Sequence, residues 1–266
     1  MLQVSEDFRE EVDQLHALLR TLEPSDWDRE TQFIGWTPWD VIAHLHFYDL
    51  MSMASLAGEE TFGPEREALI TAFQARKTNQ QIARERFANL DASELMARWH
   101  ATAHDLARDL GSAEPKLRLL WFGPDMGLQM FTTARYMEVW AHSQEIYDLV
   151  GAPRTYNDRI KNIATIGVKT FGWTFVNRAL DVPGPPPYVR LVAPSGEIWE
   201  WNEPSESECV RGDGLDFCHV VTQTRALADT KLEVTGEVAN TWMPIAQCFA
   251  GPAVDPPKPG TRGPVT

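Results

Sequence analysis

Residues 126–150, MGLQMFTTARYMEVWAHSQEIYDLV, carry the reading that decides this chain. At 100° per residue, Arg135, Glu138, His142 and Glu145 fall on one stripe of a helix, with Phe131 and Leu149 at its two ends. A second polar stripe, Gln129, Thr133, Gln144 and Asp148, lies on roughly the opposite face. A surface helix needs one solvent face only, so one stripe is expected to point inward. The charges bounded by Phe131 and Leu149 are the better candidates. Within that stripe Glu138 and His142 are four apart, which sets a carboxylate and an imidazole side by side for one divalent ion. A solvated surface stripe would show the same spacing. The pair therefore needs a third donor from another helix.

A second helix begins at Thr37-Pro38-Trp39-Asp40. Thr37 suits the N-cap, Pro38 the first helical position, and Asp40 completes a capping box. The helix runs to about Ala57 and stops at Gly58. His44 lies on its apolar stripe with Val41, Phe47, Tyr48 and Met51. Asp40, one turn earlier, is placed to accept the other ring N–H of His44. His46 sits on nearly the opposite face, and the pattern alone does not choose between the two histidines. His100 and His104 form another H-x-x-x-H pair, but they share a face with Ala97 and Arg108 and read as solvent-facing. His16 and His219 stand alone and read as structural or exposed.

Around these two segments, the first two thirds of the chain reads as helices. Val4, Phe8, Val12, Leu15, Leu18, Leu19 and Leu22 recur at helical spacing before Pro24. Helices are expected over 64–88, 92–110 and 157–180, with a loop at 114–125. Pro183-Gly184-Pro185-Pro186-Pro187 is a stiff boundary. Beyond it, 188–192 and 197–201 alternate across Pro194-Ser195-Gly196 as a hairpin, and 208–211 reads as a third strand. Residues 214–226, 231–235 and 237–250 read as helix, strand and helix. The expected division is a helical bundle over 1–182, a small α+β domain over 183–252 and a loose tail over 253–266.

The 266 residues carry a formal net charge of −14, which disfavours phosphate backbones and anionic membranes as partners. Cys209, Cys218 and Cys248 are odd in number and widely spaced, against a disulfide framework and against a thiolate metal site. With no apolar signal core and no membrane-length apolar run, the chain reads as a soluble cytoplasmic protein.

The run Gly35-Trp36-Thr37-Pro38-Trp39-Asp40-Val41-Ile42-Ala43-His44-Leu45 resembles the G-W-T-x-x-D-x-x-A-H-L signature of DinB-like and mycothiol-dependent maleylpyruvate isomerase-like proteins. Arg135-x-x-Glu138-x-x-x-His142 resembles their second metal motif, in the expected order and helix. Ala193–Glu197, Gly214–Cys218 with Val220–Gln223, and Trp242–Gly251 are similar to a narrower actinobacterial group of metal-binding proteins. The resemblance implies a mainly α architecture: a DinB-like four-helix bundle with extra helices, followed by a small α+β domain of sterol-carrier-like type. It implies Zn2+ held by His44, Glu138 and His142, and mycothiol or another small thiol as cofactor or cosubstrate. Ni2+ or Fe2+ would suit the same donors. The helix at 64–88 is an addition relative to the isomerases.

Two histidines and one glutamate leave a coordination position open, the pattern of a catalytic ion. The leading expectation is a thiol-dependent transferase or isomerase acting on a small electrophilic molecule. Arg135 is a candidate to neutralise Glu138 or to anchor an acidic group of the thiol or substrate, and Arg211 of the second domain is a candidate for the same purpose. The alternatives are a metal-assisted hydrolase with Glu145 as base, and a non-catalytic metal- or ligand-binding protein.

Overall fold

The structure, a computed structural model, describes residues 2–264. Its contacts divide the chain into two units, Met1–Val150 and Gly151–Thr266.

The first unit holds α1 (Gln3–Leu19), α2 (Pro38–Ala57), α3 (Glu59–Gln74), α4 (Asn79–Arg86), α5 (Ala92–Ser112), a short antiparallel pair β1 (Arg118–Leu119) and β2 (Met126–Gly127), and α6 (Leu128–Val150). Helix α1 packs on α5 and α6, and α2 packs on the same two, which closes a four-helix bundle. Phe8, Val12 and Leu15 of α1 meet this core with Val41, Ile42 and Leu45 of α2, Leu95, Trp99 and Leu106 of α5, and Phe131, Tyr136 and Trp140 of α6, all buried. The expected cap of α2 forms as read. Thr37 accepts from the Asp40 amide while the Asp40 carboxylate accepts from the Thr37 amide.

Local departures have identifiable causes. The single helix expected over 64–88 is two helices. Arg76 takes a left-handed conformation (φ 62°), and Thr78 with Gln81 then makes a new capping box that starts α4. Both polar stripes of α6 carry buried groups, not one alone. Arg135 and Glu145 are covered, and so are Thr133, Gln144 and Asp148, the last two joined by a 2.9 Å hydrogen bond.

The second unit holds α7 (Lys161–Lys169), α8 (Phe171–Asn177), β3 (Tyr188–Val192), β4 (Ile198–Trp201), β5 (Cys209–Asp213), α9 (Gly214–Val221), β6 (Glu233–Thr235) and α10 (Glu237–Trp242). The sheet order is β4-β3-β5-β6. The β3–β4 hairpin and the β5–β6 pair are antiparallel, and β3 and β5 are parallel. The expected boundary at 183–187 is therefore displaced. Helices α7 and α8 group with the sheet because α7 packs on α9. The expected helix over 157–180 breaks at Thr170, whose hydroxyl donates to the carbonyls of Ile166 and Gly167. The final helix expected over 237–250 stops early, at Trp242, before a short 3-10 turn over Met243–Ile245. Over its described residues the tail read as loose is tied down: Gly260 donates to Asp229, Arg262 to the Gln223 carbonyl, and Val254 to Gln247, while residues 265–266 lie outside the described residues. The three cysteines are buried, and no disulfide joins them among the described residues.

Two glycines at α7 and α8 test this packing. A Cβ on Gly167 would lie 2.8 Å from one Val221 methyl and 3.1 Å from Phe217, whereas one on Gly172 meets nothing within 4 Å. Gly167→Ala is expected to destabilise the protein by about 1–2 kcal/mol, because overpacking outweighs the gain in helix propensity. Gly172→Ala is expected to be neutral or to stabilise it by up to ~1 kcal/mol. Urea denaturation of the two variants checks the contrast, and equal effects would contradict the packing argument.

Candidate metal centre

Helices α2 and α6 supply the site from opposite sides of one bundle seam. Buried His44 comes from α2, and half-buried Glu138 and His142 come from α6. His44 Nε2 is 3.6 Å and His142 Nε2 3.5 Å from the same oxygen, Glu138 Oε2. Donor atoms of the three residues all lie within 4.8 Å of one another.

These separations are too long for good hydrogen bonds. They match an ion's coordination edges better, since donors at ~2.0–2.1 Å from a tetrahedral ion stand roughly 3.3 Å apart. Both ring nitrogens of His44 are buried without a hydrogen-bond partner. A buried polar group left so costs on the order of 1–3 kcal/mol, which a ligand would offset. The residues therefore fit a divalent cation.

Electrostatics prepare the same state. Burial pushes the His44 imidazole down to about 4, so it is neutral and its lone pair is available at pH 7. Burial works to raise the Glu138 carboxyl, but His142 and His44 together outweigh it and hold Glu138 well below the usual carboxylate range.

Aromatic side chains wall the centre. Trp36 stacks on His142 at 5.6 Å with a 7° interplanar angle and also meets His44 at 5.1 Å. Phe33 presents an edge to His142, and Tyr48 meets His44 at 4.8 Å. The Tyr48 hydroxyl donates to Asn79 of α4. Helix α4 thus reaches the ligand-bearing face of α2. Asp40 is held the same way, accepting from Gln80 and from Arg84 Nη2, each at 2.8 Å. This corrects the expectation that Asp40 orients His44: its carboxylate is taken by α4 and by the Thr37 cap.

The remaining candidates disperse. Arg135 does not turn to Glu138. Its guanidinium donates to Asp49 at 2.9 Å, both side chains being buried. Asp49 was missed from the sequence, and its signal was a lone acid inside the apolar run of α2. Glu145 is buried on α6 outside the group of three donors. Arg211 lies in the second unit, paired with Glu206. His219 is buried against the Thr224 hydroxyl, a structural placement. His100 and His104 do not face solvent alone, since both meet Asp13 of α1.

His46 points away from the centre and stacks on Phe87. Burial, helped by the charges of Arg86 and Arg98, lowers its pKa to about 4. Between pH 6.5 and 4 the unfolded chain then binds a proton that the folded state refuses. His46 stabilises the fold above that window, and the contribution is lost as pH falls through it. The full change is on the order of 3 kcal/mol. Urea denaturation of wild type and His46→Leu across pH 4–7 should show a shallower acid loss in the variant. Parallel curves would rule this out.

The comparisons with known proteins agree with this architecture. Residues 8–147, which include all three donors, match the family model described as the mycothiol maleylpyruvate isomerase N-terminal domain. An uncharacterized protein of Mycobacterium tuberculosis, present in two strains, is 35% identical over 247 residues, covering 92% of this chain and 95% of the relative. The crystal structure of the mycothiol-dependent maleylpyruvate isomerase matches with a TM-score of 0.54 at 13% identity, covering 82% of this chain and 87% of that one. A histidine-to-alanine mutant of that enzyme matches equally. At this identity the likeness is one of fold. No helix among the described residues is long and apolar enough to cross a membrane.

Proposed function

The chain belongs to the mycothiol maleylpyruvate isomerase family through its N-terminal domain, and on that footing we propose that it is a metal-dependent enzyme transferring or isomerising through a small thiol. The observation that supports this most is the convergence of two imidazoles on one carboxylate oxygen, at 3.6 and 3.5 Å, from two helices.

His44, Glu138 and His142 would hold the ion, and zinc suits two imidazoles and a carboxylate. Bound there, a divalent cation supplies the positive charge that favours the thiolate form of a small thiol at neutral pH. The chain's own groups do the rest. His44 stays neutral through burial, and Glu138 stays anionic between its two histidines. Trp36, Phe33 and Tyr48 exclude water and offer an apolar seat to an organic substrate. The thiolate sulfur would add to a carbon of an activated C=C bond of that substrate, the C–S bond forming as the π bond breaks and its electron pair moves onto the conjugated acceptor. Protonation of that adduct would complete a transfer, whereas rotation about the new single bond, return of the electron pair to re-form the C=C bond and expulsion of the thiolate would complete an isomerisation. Mycothiol is the thiol that the family name suggests.

The test is turnover of small electrophilic acids by the metal-loaded protein, with and without added mycothiol. Turnover that needs both metal and thiol is expected. Turnover without thiol would replace this reading by metal-assisted hydrolysis, and stoichiometric metal without turnover of any such acid would leave a binding protein.

A further inference from the structure

We propose that Asp13, His100 and His104 form a second divalent-metal site, which staples α1 to α5. It is independent of the centre between α2 and α6 and shares no residue with it.

His100 and His104 are one turn apart on α5, with ring centroids 4.3 Å apart. Each presents the same ring nitrogen to a single oxygen of α1: Nε2 of His100 and of His104 lie 3.0 and 2.7 Å from Asp13 Oδ1. Donor atoms of the three lie within 4.8 Å of one another. A tetrahedral ion with ~2.0–2.1 Å bonds spaces its donors roughly 3.3 Å apart. These partners reach that spacing by moving a few tenths of an ångström outward.

The neighbours hold the donors in place. The other Asp13 oxygen, Oδ2, is 3.3 Å from Arg9, and Arg9 is itself bound to Glu6 at 2.9 Å. The carboxylate is thereby turned with Oδ1 toward the histidines. His16 of α1, which the sequence pattern leaves alone, stacks on His100 at 3.9 Å with a 22° interplanar angle, and so fixes that ring's plane.

Its character differs from that of the central site. The side chains of Asp13, His100 and His104 remain 42%, 27% and 33% exposed, so solvent reaches the ion and completes its shell. Exchange is accordingly faster and affinity lower than at the centre. Imidazole and carboxylate donors favour Cu2+ over Zn2+ and Zn2+ over Mg2+ or Ca2+.

Metal-free full-length protein is titrated with Zn2+ alone, and bound metal is counted. Two equivalents are expected in the wild type. His100→Ala/His104→Ala should bind one and His142→Ala should bind one, each having lost a different equivalent. Asp13→Asn should weaken the weaker site at least about 10-fold. Zinc should also raise the Tm of the His142→Ala variant by about 2 °C or more, and this rise should vanish when the His100 and His104 changes are added. Retention of both equivalents in His100→Ala/His104→Ala would overturn the proposal. So would a second equivalent bound only at millimolar Zn2+, which would reduce the cluster to a hydrogen-bonded Asp–His contact. Loss of the central equivalent in the wild type would bear on the proposed function alone.

Discussion

His142→Ala is expected to fold normally and to lose zinc binding at the candidate centre formed with His44 and Glu138. In a His100→Ala/His104→Ala background, which removes the competing cluster, metal analysis should find close to one equivalent of zinc before the change and almost none after it. Removing an outer partner of a ligand costs roughly 10–100-fold in affinity, and removing a ligand itself exceeds that. The fold should survive for a local reason. The His142 side chain is already 12% exposed, and alanine is the better helix former within α6. Glu138→Gln makes the complementary case. It preserves shape but removes the charge that balances the cation, so metal affinity should fall again with little change in unfolding of the metal-free protein. Retention of stoichiometric zinc in His142→Ala would remove the basis for any chemistry at this point.

The parts of this fold that were legible in the sequence are those that local physics decides. Thr37, Pro38 and Asp40 form a self-contained cap, so the start of α2 could be read directly. Pro194-Ser195-Gly196 with its alternating flanks likewise gives β3 and β4 in register. The misplacements lie where a distant partner decides. Asp40 and His44 are one turn apart, yet Arg84, forty-four residues along the chain, takes the carboxylate. Residues 183–187 are stiff enough to mark a boundary, but α7 is claimed by α9, which no local pattern records. The break at Arg76 had no glycine to announce it. Only Thr78 with Gln81 carried a signal, because a new N-cap implies that the previous helix has ended.

The candidate site was legible to a similar degree. Glu138 and His142 share a helix, so their spacing alone sets them together. The choice between His44 and His46 depends on which face of α2 meets α6. The fold turns His44 to Glu138 and His46 to Phe87. Arg135 shares its stripe with Glu138 and Glu145, so local spacing pointed it to Glu138, and only the packing of α2 on α6 brings it to Asp49.

That pair carries the second large expectation. Asp49 lies five residues beyond His44 on α2, and Arg135 lies three before Glu138 on α6, so the ion pair links the two helices beside the candidate metal donors. Arg135 also reaches toward the Leu45 carbonyl at 3.5 Å. Burial pushes the Asp49 carboxyl up to about 6, although Arg135 and, from α5, Trp99 work to lower it, while Glu138 adds to the rise. Arg135→Met removes the main counter-charge from a carboxylate with no exposed side-chain surface, and should destabilise the protein by about 3–5 kcal/mol at pH 7. The pH dependence gives the sign. The folded state holds its Asp49 proton more tightly than the unfolded chain, so this group's contribution to stability is fullest below about pH 4 and is lost as pH rises to about 6. Without Arg135 the folded pKa moves higher still, so the loss should continue past pH 6 where the wild type has levelled off. Asp49→Leu/Arg135→Met, which removes both charges, should recover to within about 1–2 kcal/mol of wild type, because a buried pair exchanged for apolar side chains need not cost stability. Urea denaturation between pH 4 and 8 measures all three. A single variant as stable as the wild type at pH 7 would show that the pair is not a clamp. If it is one, the double variant should regain stability yet bind zinc more weakly than the wild type, since apolar packing restores the seam without fixing how His44 faces Glu138.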